Sequence, residues 1–284
     1  MKSEKVLLGL GALITADLLY HGVKYCYNLL YNDTTYMEKR ISRYIKDRSS
    51  KYNELIDYYD NKSNTYDICK KLNIPCPKNY FILDKAEDLK SVELPDNCVI
   101  KYNNLASSKS VIIKQNGKFN KYNNIDDVIK HLNNNKKQNQ KYVQFQESKY
   151  KQQVIVEELL LDDSNSPSVR DIKLYVFNGE CKYILITEHF DTNGFDRHYD
   201  KNFIPVILKN DTDDYGKRVH IKPKYWDDII KYGEKMAKEL FPETFLRLDF
   251  YSTTKGAMFG EFTFNPGNGR GFTDHADLIL AKLL

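Results

Sequence analysis

The chain has 284 residues, of which 41% are hydrophobic and 13% aromatic, so it can bury the core of one large domain or of two, and a mostly disordered protein is excluded. Its 43 Lys and Arg residues barely exceed its 39 Asp and Glu residues, an excess too small to indicate a nucleic-acid-binding surface. The five cysteines form no CxxC pair, which favours reduced core residues in a reducing compartment such as the cytoplasm.

The N-terminal stretch from residue 6 to residue 20 is apolar and follows two lysines, as in a membrane anchor or a signal peptide. Asp17, His21 and Lys24 interrupt it before it reaches the roughly 20 apolar residues that a membrane-spanning helix needs. Three interpretations remain open: an amphipathic helix packed on the protein, a helix within residues 1–30 that contacts a membrane surface, and a cleaved signal.

Apolar residues between positions 34 and 71 recur at helical spacing, which predicts further helices, and Pro75 and Pro77 end this helical region. We therefore expect three parts in the chain. They are an N-terminal helical segment (residues 1–60), a lead-in segment (residues 61–95) and a main domain (residues 96–284).

Downstream of Pro77 the pattern changes to short strands with two helices among them. The predicted strands are 80–83, 98–102, 111–114, 154–158, 171–177, 181–188, 246–251 and 258–264, and the predicted helices are 125–133 and the stretch between Pro223 and Pro242. The pairs Asn116-Gly117 and Asn178-Gly179 are typical of tight hairpin turns. Because strands and helices follow each other without regular alternation, we expect α+β subdomains rather than a doubly wound parallel sheet.

The last predicted hairpin carries the densest group of polar side chains. Strand alternation places Arg247 and Asp249 on one face of its first strand and Glu261 and Thr263 on one face of its second, with Asn265 two residues beyond. Two carboxylates with a hydroxyl or a carboxamide suit Mg²⁺, which takes one or two protein carboxylates and leaves its other positions to phosphates and water. A solvated hairpin with ordinary ion pairs is the alternative interpretation.

Charged residues also mark three other predicted strands. Lys101 ends an apolar run, where either a phosphate neutralises it or it is a surface lysine. Glu157 and Glu158 end the strand that begins at residue 154 and are able to accept hydrogen bonds from an adenine or a ribose. Asp171 and Lys173 share a face of the next strand, where they form an ion pair or hold a phosphate.

The order of these segments resembles that of the ATP-grasp proteins related to teichuronopeptide biosynthesis, the TupA-like subgroup. The matching runs are 61–62, 94–101, 154–159, 171–179, 222–223, 247–251 and 259–264, together with Arg197, Tyr199 and Asp200. The resemblance spans about residues 61 to 280, and its last two runs are the most specific.

This resemblance implies an ATP-grasp fold, in which two α+β subdomains clamp one ATP and Mg²⁺ bridges the phosphates to acidic side chains. It implies nucleotide contacts from Lys101, Ser107, Ser108, Glu157, Glu158, Leu159, Asp171 and Lys173. It implies Asp249, Glu261, Thr263 and Asn265 as metal ligands, Arg247 beside an acyl phosphate and Arg197 beside the substrate carboxylate. Many ATP-grasp enzymes have asparagine at the position of Thr263, and their phosphate lid is richer in glycine than residues 103–108.

The function implied is that of an ATP-dependent carboxylate–amine ligase, which joins a small-molecule or glycan carboxylate to an amine through an acyl phosphate, in surface polysaccharide synthesis. The alternative is a nucleotide-binding protein that phosphorylates a small molecule or lacks ligase activity. A third hypothesis, an interaction module built on the Asn- and Lys-rich residues 133–141, predicts strongly salt-dependent nucleic-acid binding, and the small net charge speaks against such a partner.

Overall fold

The computed structural model describes Tyr44, Asp47, Leu55 and Ile56 together with residues 58–104, 111–138, 151–164, 166, 168–188, 195–208, 219–269 and 272–284. The apolar stretch 6–20 lies outside these residues, so the three interpretations of the N-terminus stay open. In the described part of the chain, no helix has both the length and the apolar character needed to cross a membrane.

The described chain forms two sheets with helices packed on them. The helices are α1 (Lys62–Leu72), α2 (Ile125–Gln138), α3 (Trp226–Leu240) and α4 (Asp274–Ala281), with short 3-10 helices at Ala86–Ser91 and Pro266–Gly269. The strands are β1 (Asn79–Leu83), β2 (Cys98–Tyr102), β3 (Ile112–Gln115), β4 (Lys118–Phe119), β5 (Val154–Glu158), β6 (Asp171–Phe177), β7 (Glu180–Thr187), β8 (Asp196–Tyr199), β9 (Pro205–Val206), β10 (Phe245–Thr253) and β11 (Gly256–Thr263).

The first sheet has five strands in the order β1-β5-β2-β3-β4, and all neighbouring pairs are antiparallel. Its two central strands, β5 and β2, bury one face, with Ile100 opposite Val156, against α2 and the short helix Ala86–Ser91. Because side chains alternate along a strand, Lys101 and Glu157 lie on the other face of the same two strands. The first sheet therefore has an apolar helix-covered face and a face that carries charged residues.

The second sheet has six strands in the order β11-β10-β6-β7-β8-β9, again antiparallel throughout. One face packs against α1 and α3, and Ile172, Ile186 and Phe250 belong to this core. The other face packs in part against α4. The remainder of that second face carries the polar side chains of the last hairpin.

The helix α3 shows why its segment folds as it does. Trp226, Ile229, Gly233, Met236 and Ala237 are its buried positions, a spacing that lines one face of an α-helix. Two aspartates lie in its first turn and a lysine in its last, which complements the helix dipole. The buried face covers the second sheet, and a Cβ added at Gly233 would approach Leu174 Cδ2 to 2.5 Å.

The predicted α+β class is confirmed, and several elements agree residue by residue. Strands β2, β5 and β6 have the predicted bounds. At the turns, Asn116 and Gly117 have φ of 51° and 77°, and Asn178 and Gly179 have φ of 49° and 78°. Both residues of each turn adopt the left-handed conformation that a two-residue hairpin requires.

Other parts of the fold differ from the sequence-based expectation. Strands β8 and β9 and the helix α4 were not predicted, because two- and four-residue strands and a helix of eight residues give weak periodic signals. The division of the chain into three parts stays a prediction, and the lead-in segment (residues 61–95) contributes to both sheets. Its α1 packs on the second sheet, and its β1 is a strand of the first sheet.

Candidate active site

The predicted pairing of Asp249 with Glu261 is present in the structure. These two residues are direct partners across β10 and β11, and Lys173 on β6 is the partner of Asp249 on its other side. Paired residues of an antiparallel sheet point to the same face. Glu261, Asp249 and Lys173 therefore form one row across three strands, on the face opposite to α3.

Arg247 binds Asp249 on the same strand. Its Nε and Nη2 donate to the two carboxylate oxygens of Asp249, both at 2.6 Å, and Nη2 also donates to Thr263 Oγ1 at 3.1 Å. Burial raises the pKa of Asp249 to about 6, although the neighbouring Arg247 acts in the opposite direction. Thr263 is the partner of Arg247 on β11, on the same face as Asp249 and Glu261, and its role as a metal ligand stays a prediction.

Glu261 is paired with a lysine from outside the second sheet. Nζ of Lys62, the first residue of α1, lies 2.8 Å from Glu261 Oε2. Burial acts to raise the pKa of Glu261, but Lys62, Arg247 and Lys101 outweigh this effect and hold it below the ordinary value. Glu261 therefore remains a carboxylate, and 33% of its side chain is exposed to solvent.

The first sheet contributes a second ion pair to the same region. Lys101 on β2 pairs with Oε1 of Glu157 on β5, and the Tyr66 hydroxyl on α1 donates to Glu157 Oε2 at 2.6 Å. Burial raises the pKa of Tyr66, and Glu157 raises it further, so this hydroxyl stays protonated. Glu157 is in this way held by one residue of the first sheet and one of α1.

Tyr251 lies near carboxylates of both sheets. Burial raises its pKa well above the ordinary value, and the carboxylates of Asp171, Glu261 and Glu157 add to this rise. The ring lies against Gly260, where an added Cβ would be 2.7 Å from Tyr251 Cε2 and 3.2 Å from the Asp249 carbonyl oxygen. A residue with a side chain at position 260 would therefore displace Tyr251 or the strand.

Lys173 and Asp171 form the ion pair that the sequence offered as one of two interpretations. Their Nζ and Oδ2 atoms are 3.2 Å apart, and Lys173 also donates to Thr187 Oγ1 at 3.0 Å. Both residues lie on β6, next to the row of Asp249 and Glu261. The interpretation as a phosphate site is compatible with this position and remains a hypothesis.

Glu158 and Leu159 have different surroundings from Glu157. Glu158 lies on the other face of β5, where it pairs with Lys255 and accepts a hydrogen bond of 3.2 Å from the Lys78 backbone. Together with Tyr80, Glu158 and Leu159 line a cavity of about 340 Å³ beside the β10–β11 turn. The two adjacent glutamates, predicted to flank the same nucleotide, therefore point in opposite directions.

The structure does not bring Arg197 to this group. Arg197 is the partner of Ile186, whose side chain belongs to the core under α3, so its strand position faces away from Arg247 and Asp249. The role predicted for Arg197, beside the substrate carboxylate, stays a prediction. Asn265 follows the end of β11 in an exposed position, and Ser107 and Ser108 lie outside the described residues.

Sequence reasoning missed the roles of Lys62, Tyr66 and Tyr251 in this group. Lys62 was noted only as the start of the lead-in segment, and Tyr66 lies one helical turn later. Residues 62 and 66 share one face of α1 because helical positions four apart are neighbours. That spacing of a cation and a hydroxyl was the one local signal available.

Mg²⁺ fits the pair formed by Asp249 and Glu261. Both present hard oxygen donors on the same face of adjacent strands, and each is now neutralised by a cation, Arg247 or Lys62. Among the described residues, no three acidic, histidine or cysteine side chains gather to hold a metal by themselves. Mg²⁺ bound with nucleotide phosphates needs only one or two protein carboxylates.

These features are those of an ATP-grasp protein: two facing antiparallel sheets with acidic and basic residues enclosed between them. The family described as TupA-like ATP-grasp matches residues 38–284. Because the match covers most of the sequence, the chain belongs to the TupA-like ATP-grasp family. The match begins at residue 38, earlier than the resemblance seen in the sequence, which began at residue 61.

Several solved structures are similar to the chain at low identity, and no curated protein matches it. The ADP complex of purK, an N5-carboxyaminoimidazole ribonucleotide synthetase, is 13% identical with a TM-score of 0.48. The match covers 74% of this chain and 45% of the purK chain. D-alanine–D-alanine ligase from Helicobacter pylori is 16% identical, with a TM-score of 0.46 and coverages of 80% and 59%. L-amino acid ligase from Bacillus licheniformis is 12% identical, with a TM-score of 0.45 and coverages of 74% and 44%. The chain spans about half the length of these proteins.

Proposed function

We propose that this protein is an ATP-dependent ligase that activates a carboxylate with Mg-ATP and joins it to an amine. The observation that carries the proposal is the direct pairing of Asp249 with Glu261, enclosed among Arg247, Lys62, Lys101 and Lys173. Such a site offers carboxylates to a divalent cation and cations to phosphates. Membership of the TupA-like ATP-grasp family supports the same assignment.

In this proposal the acidic residues bind the metal and the basic residues bind the phosphates. Asp249 and Glu261 would hold Mg²⁺, with Thr263 beside them, and the metal would offset phosphate charge and keep the γ-phosphate in line for attack. Lys101 on β2 and Lys173 on β6, one from each sheet, would bind phosphate oxygens. Arg247 presents a planar guanidinium that can hold an acyl phosphate through two parallel hydrogen bonds.

The proposed reaction has two steps. An oxygen of the substrate carboxylate attacks the γ-phosphorus, forming a C–O–P linkage while the bond to the β-phosphate oxygen breaks and ADP leaves. The amine nitrogen then attacks the acyl carbon, the C–O bond to phosphate breaks, and inorganic phosphate and one amine proton are released. In both steps the protein contributes position and electrostatic stabilisation.

The substrate we propose is an acidic sugar or an amino acid that the enzyme joins into a surface glycan. The family to which the chain belongs supports this proposal.

The setting we propose is the cytoplasm, with residues 1–30 in contact with the membrane surface. Removing residues 1–30 should leave Mg-ATP binding intact and reduce sedimentation with phospholipid vesicles. Loss of nucleotide binding in a folded truncated protein would contradict this division of roles.

The test of the function combines binding with product analysis. Mg-ATP at millimolar concentration should raise the melting temperature, because a ligand that binds only the folded state stabilises it. ADP release should depend on a carboxylate from a panel of uronic and amino acids, and phosphate release should depend on the amine. Hydroxylamine should trap the acyl phosphate as a hydroxamate.

Other outcomes of the same assays would redirect or overturn the proposal. ADP formation with a sugar or polyol, without a hydroxamate and without free phosphate, would indicate a small-molecule kinase. An unchanged melting temperature together with no ADP release would show that the site does not process nucleotide.

A further inference from the structure

The position of Lys62 is fixed by a buried asparagine that also fixes the first sheet. Asn103 follows β2, and its carbonyl oxygen accepts the Lys62 backbone N–H at 3.1 Å. The Asn103 amide nitrogen donates to Asn61 Oδ1 and to Ser63 Oγ, both at 3.1 Å. The Asn103 side-chain oxygen accepts the backbone N–H of Gln153, just before β5, at 2.9 Å. The start of α1 is therefore tied to the strands that carry Lys101 and Glu157.

The side chain of Lys62 is enclosed by carboxylates rather than by solvent. It is 15% exposed, and its Nζ contacts Glu261 at 2.8 Å. Burial acts to lower the pKa of Lys62, but the carboxylates of Glu261, Asp60 and Glu157 outweigh this and raise it. A buried lysine is costly unless its charge is neutralised, so a site that encloses one needs an anion there at all times.

The ion pairs around Lys62 indicate what has to change when a divalent cation and phosphates bind. Four cations, Lys62, Lys101, Lys173 and Arg247, are each paired with one of four carboxylates, Glu261, Glu157, Asp171 and Asp249. Lys62 contacts Oε2 of Glu261, so a divalent cation that binds through this oxygen displaces Lys62. The displaced ammonium then lies in the same enclosed region as the incoming phosphates.

We infer that Lys62 is a phosphate-binding residue of the active site, which releases Glu261 to the metal and transfers to a phosphate oxygen when Mg-ATP binds. The inference rests on the proposed function and adds a residue from the lead-in segment to the two sheets. Lysine suits this role because its flexible stem carries a compact charge with three donors, so it can change partner without movement of the backbone.

Two variants and a matched control test the exchange. Lys62→Met removes the charge that competes for Glu261, so it should bind Mn²⁺ without nucleotide about tenfold more tightly, as expected when one neighbouring charge is removed. The same variant should lose ADP production by about 100-fold, the usual cost of removing one contact to developing charge. Lys62→Arg should retain most activity. Lys90→Met, which removes an exposed ion pair with Asp126, should change neither property.

A measurement on the unmodified protein keeps the inference testable if Lys62→Met does not fold. An amine-reactive reagent, followed by mass spectrometry, should label Lys62 more slowly in the presence of Mg-ATP than in the presence of Mg-AMP, which lacks the outer phosphates. Electron paramagnetic resonance gives the Mn²⁺ affinities.

The possible results separate this inference from the proposed function. A Lys62→Met protein with parental Mn²⁺ affinity and parental ADP production would overturn the role of Lys62 and leave the ligase assignment standing. Equal labelling of Lys62 with Mg-ATP and Mg-AMP would overturn it as well. A parental protein without nucleotide-dependent stabilisation or ADP release would instead overturn both.

Discussion

Tyr66 on α1 and Glu157 on β5 share a hydrogen bond of 2.6 Å, in which the hydroxyl donates to a carboxylate that also pairs with Lys101. A hydrogen bond to a charged group contributes about 1.5–3 kcal/mol to stability. Since Tyr66 reaches Glu157 from the lead-in segment, this bond connects α1 to the first sheet.

The first prediction removes that hydroxyl alone. Tyr66→Phe should lower the free energy of unfolding by about 1.5–3 kcal/mol and weaken nucleotide binding, because Glu157 loses one of its two partners. Chemical denaturation and binding of a fluorescent ATP analogue measure the two effects. Tyr58→Phe is the control, because Tyr58 is 38% exposed. Equal stability of the two variants would contradict the importance of the bond.

The second prediction concerns the carboxylate opposite Asp249. Glu261→Gln keeps the volume and one oxygen while it removes the charge, so ADP production should fall by about 100-fold or more. The melting temperature should fall modestly, because Lys62 loses its carboxylate. Glu180→Gln is the matched control, since Glu180 makes exposed ion pairs with Lys182 and Lys201. A folded Glu261→Gln protein with the parental rate would rule out the metal assignment.

The third prediction separates packing from site geometry by two glycine substitutions. Gly260→Ala brings a methyl group to 2.7 Å from Tyr251, and Gly233→Ala brings one to 2.5 Å from Leu174. Overpacking of this kind costs about 1–3 kcal/mol in either case. Only Gly260→Ala should also weaken Mg-ATP binding, because Gly260 lies on β11 next to Glu261 and against the backbone of Asp249. The comparison fails if both variants bind Mg-ATP equally well.

The fourth prediction concerns the segment that joins the two sheets, where Arg170 binds a buried carboxylate. Arg170 Nε and Nη2 donate to the oxygens of Asp162 at 3.1 and 3.0 Å. Burial acts to raise the pKa of Asp162, but Arg170 and Ser164 outweigh it and hold the pKa below the ordinary value. Asp162 therefore stabilises the fold above its unfolded-state pKa of about 4, and this contribution is lost as the pH falls through its lower folded-state pKa.

Arg170→Met should accordingly destabilise the protein by about 3–5 kcal/mol at pH 7, because it leaves a buried carboxylate without its partner. The difference from the parent should shrink as the pH falls from 7, because the buried Asp162 of the variant, without the guanidinium, takes up a proton at a higher pH than Asp162 of the parent. Denaturation at several pH values measures this dependence. A difference that stays constant between pH 7 and pH 3 would contradict the account.

Local patterns were sufficient to predict the acidic pair of the site. Period-two alternation and the turn near Gly256 place Asp249 and Glu261 on one face, and the register confirms that they are partners. The bounds of β5 and β6 were also predictable, since both are short apolar runs that end in charged residues or a turn. In these cases the information lies within a few residues of the chain.

Contacts between distant parts of the chain were not predictable in this way. The pairing of Lys62 with Glu261 depends on how α1 packs against β11. The face on which Arg197 lies was not predictable either, because the sequence does not specify how β8 pairs with β7, and a shift of one residue exchanges the two faces. The face on which such a side chain lies depends on the sheet register, and its partners depend on tertiary packing.

The shared sheet and the Asn103 contacts have a practical consequence for anyone who prepares the catalytic part in isolation. A fragment that begins at residue 96 would lack β1, which would leave the backbone groups of β5 unpaired at a sheet edge. Exposed edges of this kind associate with other chains, so the fragment should aggregate rather than fold as a smaller enzyme. Recombinant versions that keep residues 61–95 retain the strand, the lysine and the tyrosine together.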